Sequence, residues 1–304
     1  MTIIKLGGTR AALGDVPFQV AFKQALRNKR SSQYRTFCGG SIITPTKILT
    51  AAHCFESRQL CDLNKCKFWQ REKAVSSHLI KSTYAVAGTL LNAEDRRQQN
   101  PSSQWKRLSR GVYPASYRFP RSDIAIITIK KPFTINSYVQ PIPTAIRHVE
   151  YNMACQASGY GRLSHSDRDQ QISPYLYMAN MHMIPTIYCN RMHGKNMYRF
   201  VCTSSRMPDT AKGDSGGPIV CKSTGDPNEK EKGVLVGIVS GHRVGVGSFF
   251  TRVSSFTKFI KAHSQATRIS NTVKSSVILT IYAAFYLCWS GLISIYQLVN
   301  NLCV

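Results

Sequence analysis

The chain has 304 residues, of which 43% are hydrophobic, so it can bury a full core and is not a disordered chain. Lys and Arg total 40 against 15 Asp and Glu, and the net charge of +25 gives a surface that attracts polyanions. Because no RNA-binding aromatic signature, zinc-finger spacing or lysine-rich tail accompanies this charge, specific nucleic-acid binding is not expected. Anionic glycans or an anionic membrane surface are the partners that the charge predicts.

Short apolar runs recur along the chain, separated by Gly, Pro and basic loops. They are FQVAF, SIIT, KILTA, YAVAGTLL, DIAIITI, CQASGYG, YMANMHMI, GPIVC and GVLVGIVS. Their spacing favours an antiparallel all-β sandwich or barrel over alternating β-α units. Two polar, charge-rich segments, 56–81 and 92–110, are interpreted as surface insertions.

The C-terminal part of the chain changes character twice. Residues 254–265 space apolar side chains as one helical face, which predicts a C-terminal packing helix. After a polar linker, 265–275, the segment 276–299 carries no charge and is long enough to cross a bilayer; residues 300–304 form a short tail. A membrane-spanning helix, a cleaved lipid-anchor signal and a gene-prediction artefact are the three interpretations, and we favour the spanning helix.

Cysteine is unusually abundant. Eight of the 10 cysteines fall within the first 221 residues, and an even set of this kind predicts disulfides and an oxidising compartment. The sequence contains no paired CxxC spacing of the kind that predicts a zinc site. Neither a metal nor an organic cofactor is expected. Counting alone does not fix the pairing.

Three short motifs contain His, Asp and Ser in that chain order: TAAHC (50–54), SDIAIIT (122–128) and KGDSGG (212–217). Together with TFCGGSI (36–42) and GDVPFQVAF (14–22), they resemble the trypsin and chymotrypsin family of serine proteases over residues 7–264. The resemblance implies an all-β fold of two six-stranded antiparallel β-barrels with a C-terminal helix. The apolar C-terminal segment would add a further helix.

The resemblance assigns catalytic roles to three side chains. Ser215 would attack the peptide carbonyl, His53 would take and return the proton, and Asp123 would orient the imidazole. The backbone N–H groups of Gly213 and Ser215 would form the oxyanion hole.

The same resemblance places a substrate specificity pocket at Asp209, Thr210, Ser240 and His242. A carboxylate at the base of a narrow pocket predicts cleavage after Lys or Arg. Gly241 stands where the family has an aromatic residue, and the alignment is ambiguous by one residue around 247–248, so a narrower or reshaped pocket is expected.

Disulfide pairing also follows from the resemblance. The implied pairs are Cys38–Cys54, Cys155–Cys221 and Cys189–Cys202, and Cys61–Cys66 could form a local clip. The family's bridge beside the pocket is missing, because Ala211 replaces one partner and no cysteine lies in 240–253.

The N-terminal sequence departs from the family. A new N-terminus would place its ammonium beside Asp214, forming the activation salt bridge, but Ile3 and Ile4 lie two positions too early for this. The segment 1–6 is therefore irregular. It also has no apolar core of the length that a signal peptide needs, so we expect an upstream segment to support export.

These observations predict a serine endopeptidase with protein or peptide substrates that forms an acyl-enzyme, is secreted or extracellular, and is anchored at its C-terminus. The alternative is a catalytically silent homologue that acts as a binding protein.

Overall fold

The computed structural model describes residues 8–26, 32–56, 71–165, 172–204 and 208–264. In chain order the strands there are β1 Thr9–Arg10, β2 Gln19–Ala25, β3 Gln33–Thr44, β4 Lys47–Thr50, β5 Glu72–Ala74, β6 Thr83–Ala87, β7 Ala93–Asp95, β8 Gln104–Pro114, β9 Ala125–Ile129, β10 Ala154–Gly159, β11 Tyr177–Ile184, β12 Phe200–Thr203, β13 Pro218–Cys221, β14 Val234–Arg243 and β15 Gly247–Arg252. The α-helices are α1 Ser77–Ser82, α2 Thr186–His193 and α3 Thr257–Ser264.

The N-terminal barrel is a closed ring of six antiparallel strands. Its order is β2-β6-β8-β9-β4-β3, and pairing of β2 with β3 closes the ring. Inside it, Phe22, Ile42, Ile48 and Ile127 are fully buried. Closure leaves these strands without open edges, apart from the short flanking strands β5 and β7.

The C-terminal barrel repeats this architecture. Its ring is β11-β10-β13-β14-β15-β12, closed by the pairing of β11 with β12, and β1 adds to the outside of β11. A cluster that includes Leu49, Ile124 and Leu235 lies between the two barrels. The predicted two six-stranded barrels are therefore confirmed.

The interpretation of 92–110 as a surface insertion is wrong. Most of β8 lies in this segment, and Leu108 is only 1% exposed inside the N-terminal barrel. Arg107 and Arg110 point outward, and a β-bulge between Leu108 and Arg110 breaks the alternation of the strand. The segment 56–81 likewise contains β5 and the start of α1 in its described part.

The predicted C-terminal packing helix is confirmed. A 3₁₀ turn, Val253–Phe256, leads directly into α3, and Phe256 and Ile260 pack into the cluster between the barrels.

Within the ranges that the structure describes, no helix has the length and apolar character needed to cross a bilayer. The predicted span at 276–299 lies outside these ranges and stays a prediction.

Three disulfides join the pairs that the resemblance implies: Cys38–Cys54, Cys155–Cys221 and Cys189–Cys202. The suggested Cys61–Cys66 clip lies outside the described residues. The Cys38–Cys54 bridge spans only 16 residues and ties β3 to the turn that carries His53.

Candidate active site

Strand register brings His53 and Asp123 together. β4 and β9 are antiparallel, and Thr50 lies opposite Ala125. His53 follows Thr50 by three residues in the 3₁₀ turn Ala52–Cys54, and Asp123 precedes Ala125 by two. Because the strands are antiparallel, the C-terminal end of β4 and the N-terminal end of β9 lie at the same end of the sheet.

The Asp123 carboxylate accepts three hydrogen bonds. His53 Nδ1 lies 2.8 Å from Oδ2, the His53 backbone N–H donates to Oδ1 at 2.9 Å, and the Ser240 hydroxyl donates to Oδ2 at 2.6 Å. The Asp123 side chain is fully buried, whereas that of His53 is 23% exposed. An ionised carboxylate only accepts, so Nδ1 carries the proton and Nε2 is left as the basic nitrogen.

Ser215 lies in a glycine-rich loop that packs against the N-terminal barrel by backbone alone. The Gly39 N–H donates to the Ser215 carbonyl at 2.7 Å. A β carbon added to Gly216, whose φ is +77°, would lie 2.3 Å from Thr50 Oγ1, and one added to Gly39 would lie 2.9 Å from Gly217 Cα. The Ser215 peptide is thereby held beside Thr50, three residues before His53.

The loop also carries two backbone donors, the N–H groups of Gly213 and Ser215. Gly213 adopts a φ of +109°, which favours glycine, and the loop is closed by hydrogen bonds from Asp214 N to Ala211 O and from Gly217 N to Asp214 O. Among the described residues, neither Gly213 N–H nor Ser215 N–H has a protein acceptor. The pair can therefore donate to an oxygen of a bound molecule.

No hydrogen bond joins the Ser215 hydroxyl to the His53 ring in the described part of the chain. The structure places the two residues on adjoining segments, and their direct contact stays a proposal.

Asp214 lies beneath the loop, and its carboxylate accepts from the N–H groups of Gly161 at 2.7 Å and Ala211 at 2.9 Å. Burial raises the pKa of Asp214 to about 6, against the lowering effect of these two bonds. Gly8, the first described residue, lines the same cavity as Asp214.

Asp209 is surrounded by donors from its own chain. Oδ1 accepts from the Thr210 N–H at 2.8 Å and from the Ser248 hydroxyl, and Oδ2 lies 3.0 Å from His165 Nε2. The His165 ring stacks on that of His242 with centroids 4.5 Å apart. Burial lowers the pKa of His242, and the neighbouring His165 lowers it further while Asp209 opposes this.

The strand register also decides which of Gly247 and Ser248 lies in the pocket wall, where the sequence alignment is ambiguous by one residue. His242 pairs with Ser248 and Arg243 with Gly247, so Ser248 is the residue that faces Asp209. Of the four predicted pocket residues, Asp209, Thr210 and His242 lie together, whereas the Ser240 hydroxyl is directed to Asp123.

Sequence reasoning did not single out His165, Ser248 or Phe119. The Phe119 ring meets the His53 ring edge-on at 5.5 Å and is 56% exposed, so it forms a wall beside the imidazole. An aromatic residue before Pro120, close ahead of the Asp123 motif, was the available signal.

Among the described residues, two groups of Cys and His side chains lie close enough to bind a metal ion: Cys38, His53 and Cys54, and Cys189, His193 and Cys202. All four cysteines are in disulfides, so they offer no thiolate.

Two closed β-barrels, a buried aspartate bonded to a histidine, and a glycine-rich serine loop between the barrels are the architecture of the chymotrypsin-like serine proteases, as the sequence motifs led us to expect. The family model described as Trypsin matches residues 5–260. The chain belongs to the trypsin family.

Proteases are among the relatives. Kallikrein 1-related peptidase b3 of Mus musculus is 26% identical over 264 residues, which covers 84% of this chain and 88% of the relative. Transmembrane protease serine 7 of Mus musculus is 31% identical over 265 residues, again 84% of this chain, but this chain spans only 28% of that larger relative.

Proposed function

We propose that the chain is a serine endopeptidase that hydrolyses peptide bonds through an acyl-enzyme. The observation that supports this best is the buried Asp123 carboxylate bonded to His53 beside a loop with two unused N–H donors. The Ser215 oxygen forms a bond to the substrate carbonyl carbon as its proton passes to His53 Nε2. The carbonyl oxygen becomes an anion that Gly213 and Ser215 N–H groups stabilise, each donor contributing about 3 kcal/mol.

In the later steps of the reaction, His53 first donates its proton and then accepts another. His53 gives its proton to the leaving amine as the carbon–nitrogen bond breaks, which leaves an ester on Ser215. Water then attacks the ester, gives its proton to His53, and releases the acid product as Ser215 regains its own proton. Asp123 keeps the imidazole in the required tautomer throughout and stabilises the imidazolium.

We propose further that cleavage follows Lys or Arg, because the Asp209 carboxylate, at the predicted base of the pocket, is negatively charged when ionised and can pair with a substrate cation. This carboxylate is only 11% exposed. The test is a fluorogenic peptide panel that varies the residue before the cut, assayed on material with a processed N-terminus. Preference for aromatic over basic residues at that position would remove Asp209 from this role.

A non-enzymatic binding role is the second candidate, and the absence of a Ser215–His53 hydrogen bond in the described residues is the observation that favours it. Under this function the same panel gives no turnover that depends on Ser215.

We propose that an N-terminal ammonium pairs with Asp214 in the active form. In a chain without that partner, the raised pKa of about 6 means that the folded state holds the Asp214 proton more tightly than the unfolded state, whose value is about 4. Below about pH 4 Asp214 is protonated in both states, and its raised pKa costs no stability. Between about pH 4 and pH 6 the free energy of unfolding falls as the pH rises, and above about pH 6 the loss stays constant.

We therefore expect the difference in Tm between Asp214→Asn and the unprocessed parent to grow in favour of Asn as pH rises from 4 to 6, and then to level off. Thermal unfolding at half-unit pH steps measures this. A difference that is constant across the range would contradict the buried, unpaired carboxylate.

A groove on the N-terminal barrel brings together four basic side chains, those of Lys81, Arg107, Arg110 and Lys130. Among the described residues, no carboxylate forms a salt bridge with any of these four. We propose that this groove binds a sulfated glycan.

We expect Arg110→Gln/Lys130→Gln to elute from a heparin column at clearly lower salt than the parent. The matched control is Lys222→Gln/Lys232→Gln, which removes the same charge from exposed positions elsewhere. Equal shifts for the two double variants would mean that net charge alone, and not the groove, sets the affinity.

We propose that the chain is exported, because three disulfides persist in an oxidising compartment, and that residues 276–299 tether it to a membrane. Deletion of 276–304 should then release the protein into the culture medium of expressing cells, whereas equal retention of both forms would argue against the tether.

A further inference from the structure

The Asp209 carboxylate is already occupied. Oδ1 has two donors, the Thr210 N–H and the Ser248 hydroxyl, and these two groups also contact each other at 3.1 Å. A carboxylate oxygen has about two acceptor positions, so Oδ1 has none left for a substrate. The remaining oxygen, Oδ2, lies 3.0 Å from His165 Nε2.

His165 is held in this position from two sides. On one side is Asp209, and on the other its ring stacks nearly parallel on His242, with 21° between the planes. His242 lies opposite Ser248 in the β14–β15 hairpin, and directly opposed residues direct their side chains to the same face of a sheet. His242, Ser248 and Asp209 therefore form one wall, against which the imidazole of His165 is packed.

A substrate cation that enters this pocket must compete with the imidazole. It can reach only Oδ2, because Oδ1 is bonded within the protein, and His165 Nε2 already holds one of the two acceptor positions of that oxygen. The competing group is tethered to the same chain, so it is present at a high effective concentration.

We infer that His165 is a specificity-determining residue that occupies the cation site of Asp209, and that a Lys or Arg side chain binds with full affinity only by displacing it. The inference rests on the proposed function for its role in catalysis, but the occupancy of the cation site does not depend on turnover. Ser248 supports the arrangement by fixing Oδ1. A protein with this arrangement accepts basic residues weakly as long as the histidine stays in place.

The first experiment uses binding alone. The fluorescent cation p-aminobenzamidine is titrated into Ser215→Ala protein that also carries His165→Ala, His165→Gln, His182→Ala or Asp209→Ser. We expect about tenfold tighter binding with His165→Ala, an intermediate gain with His165→Gln because its amide can still donate to Oδ2, and loss of binding with Asp209→Ser. His182 is exposed on β11 and serves as the matched histidine control, with no expected change.

The second experiment uses turnover of a Lys peptide by chains that keep Ser215. His165→Ala should lower KM about tenfold with little change in kcat, because displacement of the imidazole precedes the chemistry. A merely structural role for His165 would instead lower kcat and leave the amidine affinity unchanged or weaker.

The outcomes separate the inference from the function. Tighter amidine binding without any turnover supports the occupied site and rejects the enzyme. Amidine binding that His165→Ala leaves unchanged or weakens overturns the inference even if peptides are cut. Equal amidine affinities for Asp209→Ser and the parent also overturn it, since no cation site would then exist at Asp209.

Discussion

Replacing Ser215 with Ala should lower kcat for the best peptide substrate by about a factor of 10⁶, to the level set by oxyanion binding and positioning alone. The hydroxyl is the only group proposed to form a bond to the substrate, and its removal leaves His53 with no proton to accept. The measurement is hydrolysis of a fluorogenic Lys or Arg peptide under saturating substrate, with KM determined for both proteins.

Two controls separate the loss of the hydroxyl from a loss of folding: the stability of Ser215→Ala and the activity of a variant at another site. Ser215 is half-buried in a loop whose packing uses backbone atoms, so Ser215→Ala should shift the free energy of unfolding by no more than about 0.5 kcal/mol. His182→Ala, made in parallel, should retain full activity. Turnover by Ser215→Ala equal to that of the parent would end the endopeptidase proposal.

Replacing Lys23 with Ala should have the largest effect on stability, a loss of about 3–5 kcal/mol. Lys23 points to the opposite face of β2 from Phe22 and is covered by residues 91–94. Its Nζ lies 2.5 Å from Glu94 Oε2 and 2.6 Å from the Leu91 carbonyl, and its side chain is fully buried. Burial lowers the pKa of Lys23, and the carboxylate opposes this. Without the ammonium, Glu94 remains as a buried charge that is only 2% exposed.

Urea unfolding with the disulfides intact measures this loss. The double variant Lys23→Met/Glu94→Leu should recover most of the lost stability, because it removes both charges and leaves apolar groups of similar size. Lys106→Ala, at a half-buried position of β8, is the matched lysine control and should change the free energy of unfolding by about 0.5 kcal/mol or less. A double variant as unstable as Lys23→Ala would show that packing, rather than the orphaned charge, causes the effect.

The motifs predicted the fold because the family pattern is carried by short contiguous stretches. TAAHC and SDIAIIT fall at the ends of β4 and β9, and the pairing of Thr50 with Ala125 explains why His53 and Asp123 meet. The sequence could not show that pairing directly, since register depends on contacts between strands that are distant along the chain.

β8 was not predicted for two physical reasons. Its outer face carries Arg107 and Arg110, so the strand looks like a polar loop, and the bulge after Leu108 interrupts the period of two. A single buried Leu among charges is too weak a signal on its own.

The pocket was predicted only in part. Asp209 was found from its distance to Ser215, but its neighbours His165 and Ser248 lie 44 and 39 residues away along the chain and reach it only through the fold. Ser240 was assigned to the pocket from its position in the family pattern, and its hydroxyl is instead bonded to Asp123.

The glycines around Ser215 limit which amino-acid substitutions the chain can accept there. At Gly216 both a φ of +77° and an oxygen 2.3 Å from the position of a β carbon strongly disfavour any residue with a side chain, and Gly39 and Gly217 are in similar close contact. The position of Ser215, the proposed nucleophile, therefore depends on main-chain contacts of this loop. Substitutions can accumulate in the interiors of the two barrels while these main-chain contacts are kept.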